Sequence, residues 1–475
     1  MTVTTAPTTP ALGPTAGPRP SAHAGEARAR RRRTAALGLL VSAQFVVMLD
    51  TSIVNVALPS IQADLGISPH GLGWVVNAYV VTFGGLLLLL GRVADLLGRR
   101  RMFVTGSLLF TAGTLLAATA VDEWVLVAGR VVQGAGAAAL SPAAMSLLMV
   151  MFPGAARARA MSLWGAASAV GGATGVLAGG LLAGTFGWSS VFLVTVPVSV
   201  TAVVVARRVL DEGSRGPRRR FDVGGAVTIT GAVVALVQGR LAAADQGWTS
   251  PSAVLGLGVA GVLLAAFVAI ERRAADPLVP LGLFASRVLS TGVALAVLGG
   301  AARASSFVLI ALYLQQALVL SPEHAGAAMV PTSVTGFVVS LSVLPRVLRV
   351  LGPRRSLVIG LLVLASGQLW LAFAPAGGYA GQVLPGLLLV ATGVALSFTP
   401  TTMVVASAVP ETHTGLASGM ASSATQVGAA LGTATFTAIA LTADDAASGF
   451  PAAFVAAAVV AVATALLGCT IARSR

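Results

Sequence analysis

Apolar stretches of about 20 residues, each long enough to cross a bilayer as a helix, recur along the whole chain between short polar interruptions. They begin near Thr34, Leu72, Met102, Trp124, Ala160, Ser190, Val223, Ala253, Ser290, Ala325, Ser356, Tyr379, Gly415 and Pro451, which predicts about fourteen spanning helices. The seventh, Val223 to Val237, is short and poor in charge contrast, so about twelve or thirteen spans also fit. Arginine placement favours the even count. Arg92 with Arg99 to Arg101, Arg157 and Arg159, Arg207 to Arg220, Arg272 with Arg273 and Arg287, and Arg346 to Arg355 share one side with both ends of the chain. Asp64, Asp122, Glu123, Asp245, Glu323, Asp444 and Asp445 fall on the other side, with Arg240 as its only basic residue. Arginine collects in cytoplasmic loops, so both termini are expected in the cytoplasm. Trp124, Trp188 and Trp248 fall at outer helix ends, where an interfacial aromatic belt would place them.

Composition agrees with an all-α integral membrane protein. Hydrophobic residues make up 56 % and charged residues only 10 % of the 475 positions, far from the charge content of a soluble enzyme. A net charge of +14 would suggest nucleic acid in a soluble protein; here the arginines lie between apolar segments, where membrane orientation accounts for them. No lysine occurs, which excludes a phosphate-binding GxxxxGK[ST] loop and Schiff-base chemistry. Cys469 is the single cysteine, and His23, His70, His324 and His413 are scattered, so neither a disulfide nor a metal site is expected. No cofactor, nucleotide or nucleic acid is implied. Residues 1–33, rich in Thr, Pro, Ala and Gly and ending in arginines, read as a disordered cytoplasmic tail followed by an uncleaved first helix.

Asp50 sits well inside an apolar run, LLVSAQFVVMLDTSIVNVALP (Leu39 to Pro59). A carboxylate there is costly to keep charged and is normally retained for ion or proton handling. Arg130, in GRVVQGAGAAALSP of span four, lies roughly 9 Å from the outer end of its helix and Asp50 roughly 12 Å from that of span one, so the two share a layer. An arginine beside a carboxylate favours its charged form and burial favours its neutral form; rearrangement between them would load and unload a proton. A static structural pair is the plainer reading of the same residues. Span five repeats small residues every four positions, at Ala167, Gly171, Gly175, Gly179 and Ala183, which suits close helix packing.

The loop after span two, GRVADLLGRRR (Gly91 to Arg101), is echoed after span ten by PRVLRVLGPRR (Pro345 to Arg355). Two six-helix halves with an inserted helix pair would give this spacing, and repeated halves around a midplane site are a transporter architecture. The expected division is residues 34–210, a linker with the inserted pair at 211–275, and 276–475. In the first loop Gly91 and Gly98 are expected to allow a tight turn, Asp95 to pair with an arginine or a helix N-terminus, and Arg92 and Arg99 to anchor the loop. A plain positive-inside loop would carry the same arginines. In the second copy Arg349 replaces Asp95.

These residues resemble the major facilitator superfamily, in its fourteen-helix drug:proton antiporter branch. LDTSIVNVALP (Leu49 to Pro59) is similar to the branch's first-helix signature, WVVNAY around Trp74 and Tyr79 to its second helix, and Gly91 to Arg101 to the superfamily's motif A. ERRAADPLVPL (Glu271 to Leu281), Tyr313 to Gln315 and GLASG (Gly415 to Gly419) match later features. Val176 stands where the antiporter motif of span five has proline. The resemblance implies a monomeric, proton-coupled exporter of amphipathic drugs or antibiotics in a bacterial cytoplasmic membrane, with Asp50 and Arg130 coupling protons and motif A as a latch that breaks and reforms. A dedicated exporter or importer of one metabolite, or a non-transporting sensor, are the alternatives. Asn55, Gln133, Arg303 and Tyr313 are expected to line the substrate cavity. Arg303 lies mid-span, roughly 15 Å from Tyr313, where the family is usually apolar or small. Span nine is the counterpart of span one, so Arg303 is expected to face Asp50.

Overall fold

The computed structural model describes residues 20–210, 222–274, 277, 279, 281–320, 322–373, 378–410, 414–441 and 446–470. Within them lie fifteen α-helices and no β-strand. The first half comprises α1 (Pro20–Leu65), α2 (Pro69–Leu97), α3 (Arg99–Ala118), α4 (Glu123–Met151), α5 (Ala155–Phe186), and the short α6 (Ser189–Leu193) continued by α7 (Val196–Val209). Next come α8 (Val223–Gln246) and α9 (Pro251–Glu271). The second half comprises α10 (Arg287–Leu312), α11 (Pro322–Val338), α12 (Leu344–Phe373), α13 (Leu384–Ser407), α14 (Thr414–Leu441) and α15 (Ala446–Thr470). Among the described residues ten helical stretches are long and apolar enough to cross a membrane. One, His324–Phe373, breaks at Gly352, whose φ of 77° divides it into two rods. Linker residues 211–221 and the acidic residues Asp444 and Asp445 lie outside the described residues.

The halves repeat each other in packing. In the first, α3 lies along α4 and α1 along α5; in the second, α12 lies along α13 and α10 along α14. Glycine makes each contact close. A Cβ on Gly106 would lie 2.6 Å from the Leu140 amide, and one on Gly360 would lie 2.7 Å from that of Ser397. The expected stripe on α5 presses on α1: a Cβ on Gly171, Gly175 or Gly179 would meet the carbonyl oxygens of Phe45, Leu49 and Ile53 at 2.6, 2.7 and 2.9 Å. Gly175→Val is therefore expected to cost about 1–3 kcal/mol by overpacking. Gly184→Val, with nothing within 4 Å of its Cβ position, should be neutral; thermal unfolding in detergent compares them.

The pair α8 and α9 pack on each other, and α8 also touches α2 and α14. Two expectations change. Helix α1 starts at Pro20, so residues 20–33, assigned to a disordered tail, are helical. Trp188 is buried rather than interfacial, because its indole Nε1 donates to Asp64 Oδ2 at 2.6 Å and ties α1 to the start of α6. Trp124 is 80 % exposed.

Candidate functional site

Asp50 lies about two-thirds of the way along α1 and is fully buried. Its Oδ2 accepts from Arg130 Nη1 at 2.7 Å and its Oδ1 from Gln133 Nε2 at 2.6 Å. Arg130 and Gln133 are one turn apart on α4, so one helix face delivers both donors. Gln133 Oε1 accepts from the same Arg130 Nη1 at 2.6 Å, and its Nε2 also reaches Thr114 Oγ1 at 2.9 Å. Thr114 can approach because Gly113 beside it has no side chain: a Cβ there would lie 2.8 Å from Gln133 Cα. Arg130 Nε donates to the Val75 carbonyl at 3.0 Å, and the guanidinium stacks 4.3 Å from the centre of the Tyr79 ring. Four helices, α1 to α4, thus close on one charge pair within the first half.

Such a pair is held by geometry rather than by net favourable energy. Removing two ions from water costs several kcal/mol each, and the mutual attraction repays this only while both partners and their hydrogen bonds stay in place. If α1 and α4 shift, Asp50 is left buried without its cation, and taking up a proton removes the penalty. Gln133, expected in the cavity wall, is instead wholly buried and belongs to this network. Thr114 is the member that sequence reasoning misses; Gln133 is named there for another role, and its spacing one turn after Arg130 is the signal for this one.

Motif A forms a second charged site, between the halves. Asp95 Oδ1 accepts from Arg99 at 3.2 Å, and its Oδ2 accepts from the backbone N–H of Leu416 at 2.7 Å. Leu416 is in the first turn of α14, where backbone N–H groups have no partner within the helix and the helix dipole favours an anion. Both expected partners of Asp95, an arginine and a helix N-terminus, are therefore engaged. Arg92 is buried nearby in sequence at the end of α2. Gly98 has φ 104° and makes the turn into α3. Gly91 does not: it is helical, and its bare Cα lets α14 approach, a Cβ on Gly419 falling 3.4 Å from it. Ser423 Oγ donates to the Gly84 carbonyl at 3.3 Å further along the same seam. Across the molecule, Gly165 of α5 sits against Thr399 and Ser340. These contacts between halves run from the middle of the bundle to its arginine-rich end. Around the second motif copy, Arg346 and Arg349 line a crevice of about 630 Å³ with Arg159 of α5.

The remaining candidates disperse. Asn55 is exposed, and its amide donates to the Thr51 carbonyl at 2.9 Å. Tyr313 begins a π-helical turn, Tyr313–Ala317, at the end of α10 away from the arginine-rich loops. There its hydroxyl accepts from Gln382 at 2.7 Å, and its ring packs edge-on against Phe450 and Phe454, so it joins α10 to α15 rather than lining a central cavity. Arg303 is buried on α10, with Thr401 Oγ1 at 3.4 Å and the Phe398 ring centre at 5.9 Å. It does not neutralise Asp50, whose carboxylate is taken by Arg130 and Gln133.

Residues 40–433 and 292–474 match the Major Facilitator Superfamily. The chain is 37 % identical over 406 residues to the cephamycin export protein CmcT of Amycolatopsis lactamdurans, covering 84 % of each chain. It is also 37 % identical over 408 residues to the puromycin resistance protein pur8 of Streptomyces alboniger, covering 85 % of this chain and 81 % of that one. Among solved structures, the human organic anion transporter MFSD10 (TETRAN) superposes with a TM-score of 0.67 over 93 % of this chain and 99 % of that chain, at 16 % identity, a likeness of fold alone. With the family matched over most of its length and such relatives over more than four-fifths of it, the chain belongs to the Major Facilitator Superfamily.

Proposed function

We propose that the protein exports amphipathic drugs or antibiotics across the bacterial cytoplasmic membrane by alternating access, driven by proton entry. The observation that carries the reading is the buried Asp50–Arg130 pair at 2.7 Å in the middle of the first half. The export and resistance roles in the names of its relatives support the direction of transport. In the arrangement seen, the halves meet toward the arginine-rich end, which is the outward-facing state if that end is cytoplasmic. The latch from Asp95 to α14 holds this state. A proton arriving from outside neutralises Asp50 and releases Arg130; the bundle rocks inward, and a compound binds from the cytoplasm. Restoration of the ion pair expels the proton inside and returns the compound to the outer face. The unit of function is a monomer in the lipid bilayer, with two six-helix halves, residues 34–210 and 276–475, and the inserted pair between them.

Everted membrane vesicles test the reading. A proton gradient should drive accumulation of the compound, and a protonophore should stop it. Accumulation that ignores the gradient and requires ATP would overturn the proposal.

The same reading requires fourteen spans with both termini cytoplasmic, since that count alone puts the arginine loops on one side. With Cys469, an exposed thiol, changed to Ser, a membrane-impermeant maleimide should label Thr249→Cys on intact cells and Arg101→Cys only after permeabilisation. The opposite pattern would refute the topology.

A further inference from the structure

Arg130 and Arg303 are both arginines buried in the interior of spanning helices, and their surroundings differ. Arg130 has a carboxylate, an amide, a carbonyl and an aromatic face. Arg303 is 4 % exposed and makes one long bond, Nη1 to Thr401 Oγ1 at 3.4 Å; its Nε and Nη2 have no partner in the structure. The side chain is folded along its own helix, where a Cβ on Gly299 would lie 2.7 Å from Nη1. Among the described residues no carboxylate pairs with it. From Leu281 onward the sequence has four acidic residues, Glu323, Glu411, Asp444 and Asp445, none of them within α10 or α13, the helices around Arg303, and Asp50 is committed to Arg130.

The repeat explains why. Gly428 of α14 sits on the Val297 carbonyl as Gly171 of α5 sits on that of Phe45, and Gly432 sits on Ala301 as Gly175 sits on Leu49. Asp50 therefore corresponds to Ala302, and Thr51 to Arg303. The second half has an alanine in place of the acid and an arginine in place of the threonine. Thr51 shares its helix face with the exposed Asn55 one turn on, so Arg303 occupies the matching face of α10.

We infer that Arg303 binds the acidic group of the exported compound, which makes the substrate class amphipathic monoanions, carboxylates foremost. The inference rests on the export reading and narrows it. Nε and Nη2 are the two nitrogens along one edge of the guanidinium, and a carboxylate bridges that edge with two parallel charge-assisted hydrogen bonds. Phe398 beside the cation supplies apolar surface for the body of the molecule. An arginine left buried without an anion is costly, so the free energy of pairing becomes affinity.

The test uses three aryl carboxylates, 1-naphthylacetate, dansylglycine and 2-anthracenecarboxylate, each with its methyl ester. Binding to the purified protein in nanodiscs is measured by equilibrium dialysis, and uphill movement by proteoliposome flux. The wild type should bind the acids roughly tenfold more tightly than the esters. Arg303→Gln should lose that preference while still binding the esters, which also reports that the variant is folded. Arg303→Lys, which keeps the charge but not the fork, should fall between them. Acids and esters bound alike by the wild type, neither bound, or a preference intact in Arg303→Gln would each overturn the inference. Competition by chloride without an acid preference would reassign the site to an inorganic anion and overturn it too. The export reading fails separately: acids that bind through Arg303 but never move against a gradient would refute export while leaving anion recognition standing.

Discussion

Asp50→Asn is expected to abolish uphill export while leaving a folded protein that still exchanges substrate downhill. The amide keeps one acceptor oxygen, which can serve Arg130, and puts an NH2 where the second carboxylate oxygen accepted from Gln133; it cannot take up or release a proton. Losing the charge leaves Arg130 buried without an anion, and breaking a buried pair from one side costs about 3–5 kcal/mol. A fall in thermal stability is therefore expected alongside the lost activity, and the two effects can be separated. In Asp50→Asn with Arg130→Gln the stranded cation is gone, so stability should recover. Uphill export should not. Flux measured with and without a proton gradient, beside thermal unfolding for both variants, checks this. Export regained with stability would make the pair structural and remove Asp50 from coupling.

The second large effect is expected at Asp95→Ala. This carboxylate makes the 2.7 Å bond to the Leu416 N–H that joins α2 to α14 across the halves. A hydrogen bond to a charged group contributes about 1.5–3 kcal/mol, so its loss should shift the ratio of outward to inward states by roughly 10- to 100-fold. Substrate does not touch Asp95 in this account, so turnover should fall far more than affinity. Spin labels on α2 and α14 at the arginine-rich end should report a longer mean separation in the variant. An unchanged separation, or equal losses in affinity and turnover, would contradict the latch.

The helical, membrane-spanning character of the chain is legible in sequence, because a bilayer forces apolar runs of about 20 residues and leaves arginine in the loops. Asp50 and Arg130 are legible for the same reason: charge inside such runs is expensive and therefore conspicuous. The rest of the network is not. Thr114 turns its hydroxyl back to the Phe110 carbonyl at 2.8 Å, as threonines in apolar helices commonly do, and its acceptance from Gln133 depends on how closely Gly113 lets α4 approach. That Asp95 meets an arginine and a helix N-terminus is legible in the motif, but which helix supplies the N–H is not, because a backbone donor leaves no mark in composition. Arg303 defeats a reading by depth alone. It lies one residue beyond the counterpart of Asp50, and one residue turns a side chain by about 100° around the helix. Gly91 and Gly98 look alike in the motif; only Gly98 has a left-handed backbone, and Gly91 is helical and lies opposite Gly419 of α14.

The central claim is that Asp50 carries the coupled proton, and proton release on substrate binding tests it most directly. Purified protein in weakly buffered detergent, with a pH-indicator dye, is mixed with a compound that wild-type vesicles accumulate. The wild type should release protons in proportion to bound compound, and Asp50→Asn should bind the compound and release none. Equal release from both proteins would contradict the account.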